Sequence, residues 1–184
     1  MFLPIYVYGQ PVLRKKAVDI SPDYENLQSF IQDMFETMDK ADGIGLAAPQ
    51  VGKSVRLFVI DSTPLVKDDN NVVPFRKVFI NARITERSGE PLVYNEGCLS
   101  LPNIHEDVER PSVVTIEYVD ENFVPFRETY DGVVARIIQH EYDHIEGVLF
   151  IDHISALRRK MLSGKLTAIA KGKMEVRYRI RIAK

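Results

Sequence analysis

The sequence predicts an α+β fold, on three observations. An apolar stripe at helical spacing lies near the N-terminus, at Leu27, Phe30, Ile31, Met34, Phe35 and Met38. Short apolar or alternating segments then follow one another between residues 55 and 130, with turn residues between them, and these read as a run of strands. A second helical stretch, 133–145, comes only after that run. Strands grouped between helices, rather than alternating with them, indicate α+β instead of a doubly wound parallel sheet.

The elements follow in order. Ser21 as N-cap and Pro22 at the first position open the first helix, which runs to Asp42-Gly43. A Gly-rich loop, 43–50, leads into a strand at Val55–Asp61, and Thr63 to Pro74 is a polar loop containing Lys67-Asp68-Asp69-Asn70-Asn71. Lys77–Asn81 is a short strand, and Ile84–Val93 includes a turn at Ser88-Gly89. A turn at Cys98 leads through Pro102 to Ile104–Glu109. Val113–Tyr118 and Phe123–Tyr130 then form a hairpin around Asp120-Glu121-Asn122. Asp131 caps the second helix and Gly147 stops it. Ser155–Lys171 is a third helix, with Gly164 as a weak point and Gly172 as its C-cap. Lys173–Ile182 alternates apolar and charged residues, as a strand with one buried and one basic face does.

At 184 residues the chain is read as a single domain, 1–184, with enough length for a real core and with the basic helix and strand of 155–184 packed on it. The 45% hydrophobic and 27% charged content is that of a soluble globular protein, and no apolar run approaches the roughly 20 residues a membrane helix needs. Met1 to Tyr8 lacks a basic leader, so a secretory signal is not expected. A single cysteine excludes an intrachain disulfide and suits a reducing compartment, taken here as cytoplasmic. Charge is split. Residues 155–184 carry a net +9 and the rest of the chain −11, which a whole-chain charge of −2 conceals.

The chemistry concentrates in His140-Glu141-Tyr142-Asp143-His144. On a helix His140 and His144 share a face and can bind one metal ion, while Glu141 follows the first ligand directly and can serve as a general base. A surface helix carrying solvated imidazoles is the plainer reading, but it leaves three ionisable groups in an apolar stretch unexplained. A catalytic metal of this type takes three protein ligands and keeps one open position. The pattern H-E-x-x-H-x-x-G-x-x-H holds as far as Gly147 and then has Phe150 where the third His belongs, with His153 three residues too late. Cys98, in Glu96-Gly97-Cys98-Leu99-Ser100, offers a soft thiolate ligand, although a lone cysteine is more often a small buried apolar residue. Gly43-Ile44-Gly45-Leu46-Ala47-Ala48-Pro49-Gln50 can bring backbone close to an extended peptide, and its Gln50 amide can donate to an oxyanion. By itself it equally fits a Gly-rich turn entering a strand.

Together the three stretches resemble the peptide deformylases, metal hydrolases that remove the formyl group from the N-terminal formyl-methionine of new bacterial and organellar proteins. Residues 43–50, 96–100 and 140–144 match that family's three motifs in order, and the resemblance covers about residues 5–155. It implies antiparallel sheets wrapped around a central metal-bearing helix. It also implies Cys98, His140 and His144 as ligands of one divalent ion, commonly Fe(II), with zinc or nickel also fitting. Glu141 becomes the general acid–base, and Gln50 and the backbone N–H of Leu99 become the oxyanion donors. Gly45 would pair with the extended substrate, and Ile44, Leu99, Val133 and Ile137 would wall the methionine pocket. The implied substrates are N-formylmethionyl nascent peptides, with no membrane or DNA partner. The +9 segment is placed and charged like the helix through which some relatives are thought to dock on ribosomes. The E-G-C glutamate of the family pairs with a downstream arginine, here expected to be Arg110. Tyr94 precedes the Cys98 turn and Arg136 sits one turn before His140; a charge inside a methionine pocket is costly unless paired, so Arg136 is expected at the rim, or the pocket departs from the family's simplest form.

Two other classes also carry an H-E-x-x-H helix. A metallopeptidase cutting internal bonds would need a different third ligand and keep its metal without Cys98, and a closed structural metal site would be indifferent to Glu141→Gln.

Overall fold

A computed structural model describes residues 2–67 and 72–183, so the Asp68–Asn71 part of the expected polar loop lies outside the described residues. The strands are β1 (Ile5–Tyr6), β2 (Gly45–Ala47), β3 (Leu57–Asp61), β4 (Arg76–Cys98), β5 (Leu101–Val119), β6 (Pro125–Asp131) and β7 (Ile180–Arg181). The helices are α1 (Leu27–Lys40), α2 (Gly132–Glu146), α3 (Ala156–Met161) and α4 (Ser163–Ala170). Strands β2 to β6 form one five-stranded sheet in chain order, antiparallel throughout, and β1 pairs in parallel with β7. This is the α+β class expected.

Helix α1 buries Leu27, Ile31, Met34 and Met38, as its stripe requires, but it starts later than Ser21-Pro22. The Tyr24 N–H bonds the Ser21 carbonyl at 3.0 Å, closing a turn in which Pro22 takes the second position that its fixed φ favours. The true N-cap is Asn26, in the left-handed region at φ 58°, and its carbonyl accepts the first helical bond from Phe30 N–H.

The expected turn at Ser88-Gly89 is absent. The chain runs straight through as β4, and 77–81 and 84–93 are parts of one strand hairpinned on β5. The register shifts between Ser88 and Pro91, and Gly89 sits in that bulge at φ 76°, a conformation glycine adopts at little cost. A turn signal and a bulge signal are the same residue here. The β5–β6 hairpin forms where expected, with Asp120 accepting from the N–H groups of Asn122 and Val124.

Helix α2 lies on this sheet and buries Ala135, Ile138 and Ile145 against Phe58, Phe79 and Ile116. The stacked rings of Phe58 and Phe79, 4.8 Å apart, fill the layer beneath it. Emptying one such position, as in Ile138→Ala, costs about 2–5 kcal/mol by cavity formation. Asp131 and Gly147 bound the helix as expected, although no Asp131 side-chain cap bond forms.

The third helix is broken at Leu162, not at Gly164, giving α3 and α4. Ser155 caps the first piece by accepting from Arg158 N–H at 3.2 Å. Leu162, Leu166 and Ile169 bury against Val7, Leu13 and Ile104. Of the expected strand Lys173–Ile182, only Ile180–Arg181 pairs, with Ile5–Tyr6. The period of two survives in burial, since residues 174, 176, 178 and 180 are half-buried and 175, 177 and 179 are exposed. Side-chain alternation thus extends beyond the short edge that β1 offers for pairing.

Candidate active site and metal centre

Three elements converge on one cleft of about 690 Å³: the β2 strand with the turn after it, the Cys98–Leu101 turn between β4 and β5, and the inner face of α2. The i,i+4 spacing on α2 sets the His140 and His144 rings 5.1 Å apart. The β4 hairpin carries Cys98 over them, with Sγ 3.2 Å from His144 Nε2. One ligand atom from each of Cys98, His140 and His144 fits within a 4.8 Å span. A tetrahedral ion with bonds of about 2.0–2.3 Å puts such atoms about 3.5 Å apart, so the set needs little adjustment to hold one.

The donor chemistry agrees. Burial opposes a charged thiolate at Cys98, but the adjacent His144 and His140 outweigh it and pull the thiol down to about 5. His140 Nδ1 lies 2.9 Å from Glu96 Oε2. Burial works against that carboxylate too, yet bonds from His140 and Arg110 hold it well below the usual carboxylate range. An ionised Glu96 can only accept, so His140 donates to it from Nδ1, and Nε2 is the nitrogen left to face a metal once it releases its own proton.

Glu141, the residue after His140, is buried, and burial pushes its pKa up to about 7. Its Oε2 is a buried polar atom without a hydrogen-bond partner among the described residues, as expected where an ion and water complete the site. Gly45 makes room for it. A Cβ there would overlap Glu141 Oε1 and approach Cγ to 2.8 Å. The Gln50 Oε1 accepts from Ala47 N–H at 2.8 Å, which turns its amide N–H groups toward Cys98 Sγ at 3.5 Å and Ser100 Oγ at 3.2 Å.

Ile44, Gly45, Gln50, Leu99, Val133, Ile137, His140 and Glu141 all line this cleft. Arg110 brackets Glu96 with two bonds, at 2.8 and 3.1 Å, and reaches Asp143 at 2.6 Å. Arg136 departs from the rim position, the first of its two expected placements. It lines the cleft but is buried, not at a rim, and donates to Glu96 Oε1 at 2.9 Å, to Val108 O at 3.0 Å and to Leu92 O. Its charge is paired, so burial is tolerated, and its guanidinium lies 5.5 Å from the half-exposed Tyr94 ring. Sequence reasoning missed Asn103, His105 and the segment Glu175–Tyr178, which also line the cleft. Only the period-two pattern of 174–182 marked Tyr178 as inward-facing.

The polypeptide deformylase family model matches residues 2–160. A peptide deformylase of Flavobacterium johnsoniae is 51% identical, covering 100% of this chain and 97% of its own, and that of Christiangramia forsetii is 50% identical over 98% and 96%. Among solved structures, the peptide deformylase of Legionella pneumophila superposes with a TM-score of 0.81 at 38% identity, covering 94% of this chain and 98% of that one. The Thermotoga maritima enzyme gives 0.73 at 42% over 84% and 99%. A matched family model over most of the length, close relatives over all of it, and a cysteine–histidine–histidine metal site with its neighbouring glutamate lead to one conclusion: the chain belongs to the polypeptide deformylase family.

Proposed function

We propose that this chain, acting as one catalytic domain, removes the formyl group from the N-terminal formyl-methionine of newly made polypeptides through Cys98, His140, His144 and Glu141. The observation that carries the reading is the cluster of Cys98, His140 and His144 with the buried Glu141 carboxylate beside it, Cys98, His140 and Glu141 lining one cleft. A divalent ion held there supplies Lewis acidity and a water of lowered pKa. Glu141 takes a proton from the attacking water and delivers it to the departing amine nitrogen, a role its buried carboxylate beside the cluster suits. Gln50 Nε2 and the Leu99 backbone N–H hold the negative charge developing on the formyl oxygen. Gly45 offers its backbone to the extended substrate, and Ile44, Leu99, Val133 and Ile137 enclose the methionine side chain. The products are formate and a free N-terminal methionine.

We assign Fe(II) as the working ion. A thiolate and two imidazoles suit it as they suit zinc and nickel, and a thiolate on iron makes the site oxygen-sensitive. The compartment we propose is the bacterial cytoplasm. Among the described residues, no helix is long and apolar enough to cross a membrane. The test is formate release from formyl-Met-Ala-Ser by protein purified without oxygen, with metal analysis. Stoichiometric iron and turnover that decays in air support the reading, and a metal-loaded protein releasing no formate refutes it.

The basic segment is proposed to give weak, salt-sensitive contact with ribosomes. Its charge is less available than the sequence implies. Arg158 is bound to Glu106 by bonds of 2.8 to 3.0 Å, and Arg159 lies 3.5 Å from Asp152. Lys160 and Lys165 are exposed beside Leu157 and Met161, themselves 70% and 66% exposed. Co-sedimentation with ribosomes at low and moderate salt, comparing the parent with a Lys160→Glu, Lys165→Glu variant, tests this, since phosphate contacts weaken steeply with salt. Equal sedimentation of both would reduce the segment to a solvated surface.

A further inference from the structure

The turn that carries Cys98 is where the β4–β5 register breaks, between Gly97 and Cys98. Two of its carbonyls are caught by the two ends of the chain. Ser100 O accepts from Tyr8 N–H at 2.8 Å, and Leu99 O accepts from the Tyr178 hydroxyl at 2.8 Å. Tyr8 lies just after β1 and Tyr178 just before β7, and β1 and β7 pair with each other. The bonds Ile5 N–H to Arg179 O and Val7 N–H to Arg181 O, at 2.8 and 3.2 Å, tie the two ends into one unit. The turn is therefore gripped from outside the main sheet.

Tyr178 lies beyond residues 2–160 that the family model matches, yet it lines the cleft and its hydroxyl reaches 79 residues along the chain to the residue after Cys98. We propose that Tyr178 is a positioning residue: by pinning the Leu99 carbonyl, it fixes the turn that presents the Cys98 sulfur and the Leu99 N–H to the cleft. Peptide planes are rigid, so the only soft motions of this turn are rotations about its Cα atoms. Holding the Leu99–Ser100 plane restricts the rotation that swings the Cys98–Leu99 plane and its N–H. The inference rests on reading the cleft as a deformylase centre. A donor whose worth depends on aim loses rate when that aim loosens, without loss of substrate binding.

The test is Tyr178→Phe, which keeps the ring and removes only the hydroxyl. On formyl-Met-Ala-Ser, kcat should fall about tenfold with KM within about twofold, short of the ~10²–10³-fold that deleting a whole oxyanion donor costs. A second readout needs neither metal nor turnover. In the metal-free protein, amide hydrogen exchange of a peptide spanning 97–101 should quicken several-fold in the variant while α1 exchanges at the parental rate. Parental kcat with parental exchange overturns the proposal. A raised KM with retained kcat makes Tyr178 a substrate contact instead and also overturns it. Faster exchange throughout the molecule, with a lowered Tm, assigns the hydroxyl to general stability and does the same. A parent that releases no formate defeats the deformylase reading, while the exchange measurement still decides the anchor.

Discussion

Glu96 Oε2 and His140 Nδ1 face each other at 2.9 Å, and the same carboxylate is held by Arg110 and Arg136, so one buried acid orients a histidine of the candidate metal cluster and is itself fixed by two guanidiniums. Such partners are worth about 10–100-fold in metal affinity. Glu96→Gln should weaken metal binding by that amount in a chelator competition, and unchanged affinity would show that His140 needs no orienting partner.

The pH dependence of stability follows from the same cluster. Glu96 and Asp143 titrate below their ordinary values in the folded protein, Glu96 through His140 and Arg110, Asp143 through His153 and Arg110, in each case against the effect of burial. Carboxylates depressed on folding stabilise above their unfolded pKa, near 4.5 for Glu96, and lose that contribution as pH falls below it. The denaturant midpoint should drop on acidification below about 4.5. Arg110→Ala, which leaves the buried Glu96 and the half-buried Asp143 short of a partner, should cost about 3–5 kcal/mol at neutral pH. A loss under 1 kcal/mol would count against the network's part in stability.

Glu141→Gln keeps the size of the side chain and removes its basicity. The variant should bind metal like the parent and lose on the order of 10²–10⁴ in kcat, the usual contribution of a general acid–base group. Activity within a few-fold of the parent would exclude Glu141 from proton transfer.

Gly45→Ala should act on the same carboxylate from the other side, because a methyl group there overlaps Glu141. Displacing a catalytic group by about 1 Å can cost on the order of 10² in rate. The expected outcome is a large fall in kcat with metal content unchanged, read by turnover and metal analysis on the same sample. An unaffected kcat would mean the carboxylate relaxes freely.

Cys98→Ala separates this site from one that uses another third ligand. Metal content after gel filtration should fall to a small fraction of the parent's, since a thiolate supplies one of three protein bonds. Full retention of the ion would place the third ligand elsewhere.

Much of this was determined by the sequence alone. The helical periods of 27–38 and 133–145, the i,i+4 histidines and the β5–β6 hairpin are local, and local spacing dictates them whatever surrounds the segment. Tertiary structure decided what depends on partners distant in the chain. Whether Gly89 turned the chain or bulged it depended on β5 lying alongside. Whether Arg136 stayed at a rim or went inside depended on Glu96 and two carbonyls being in reach. Lys173–Ile182 kept its alternation but found a pairing edge for only two residues, because β1 offers no more. The sequence marked Cys98 only as a candidate ligand. Its sulfur reaches His144 because a bulged hairpin, held by Tyr8 and Tyr178 from opposite ends of the chain, carries it there, and no spacing along one segment encodes that meeting.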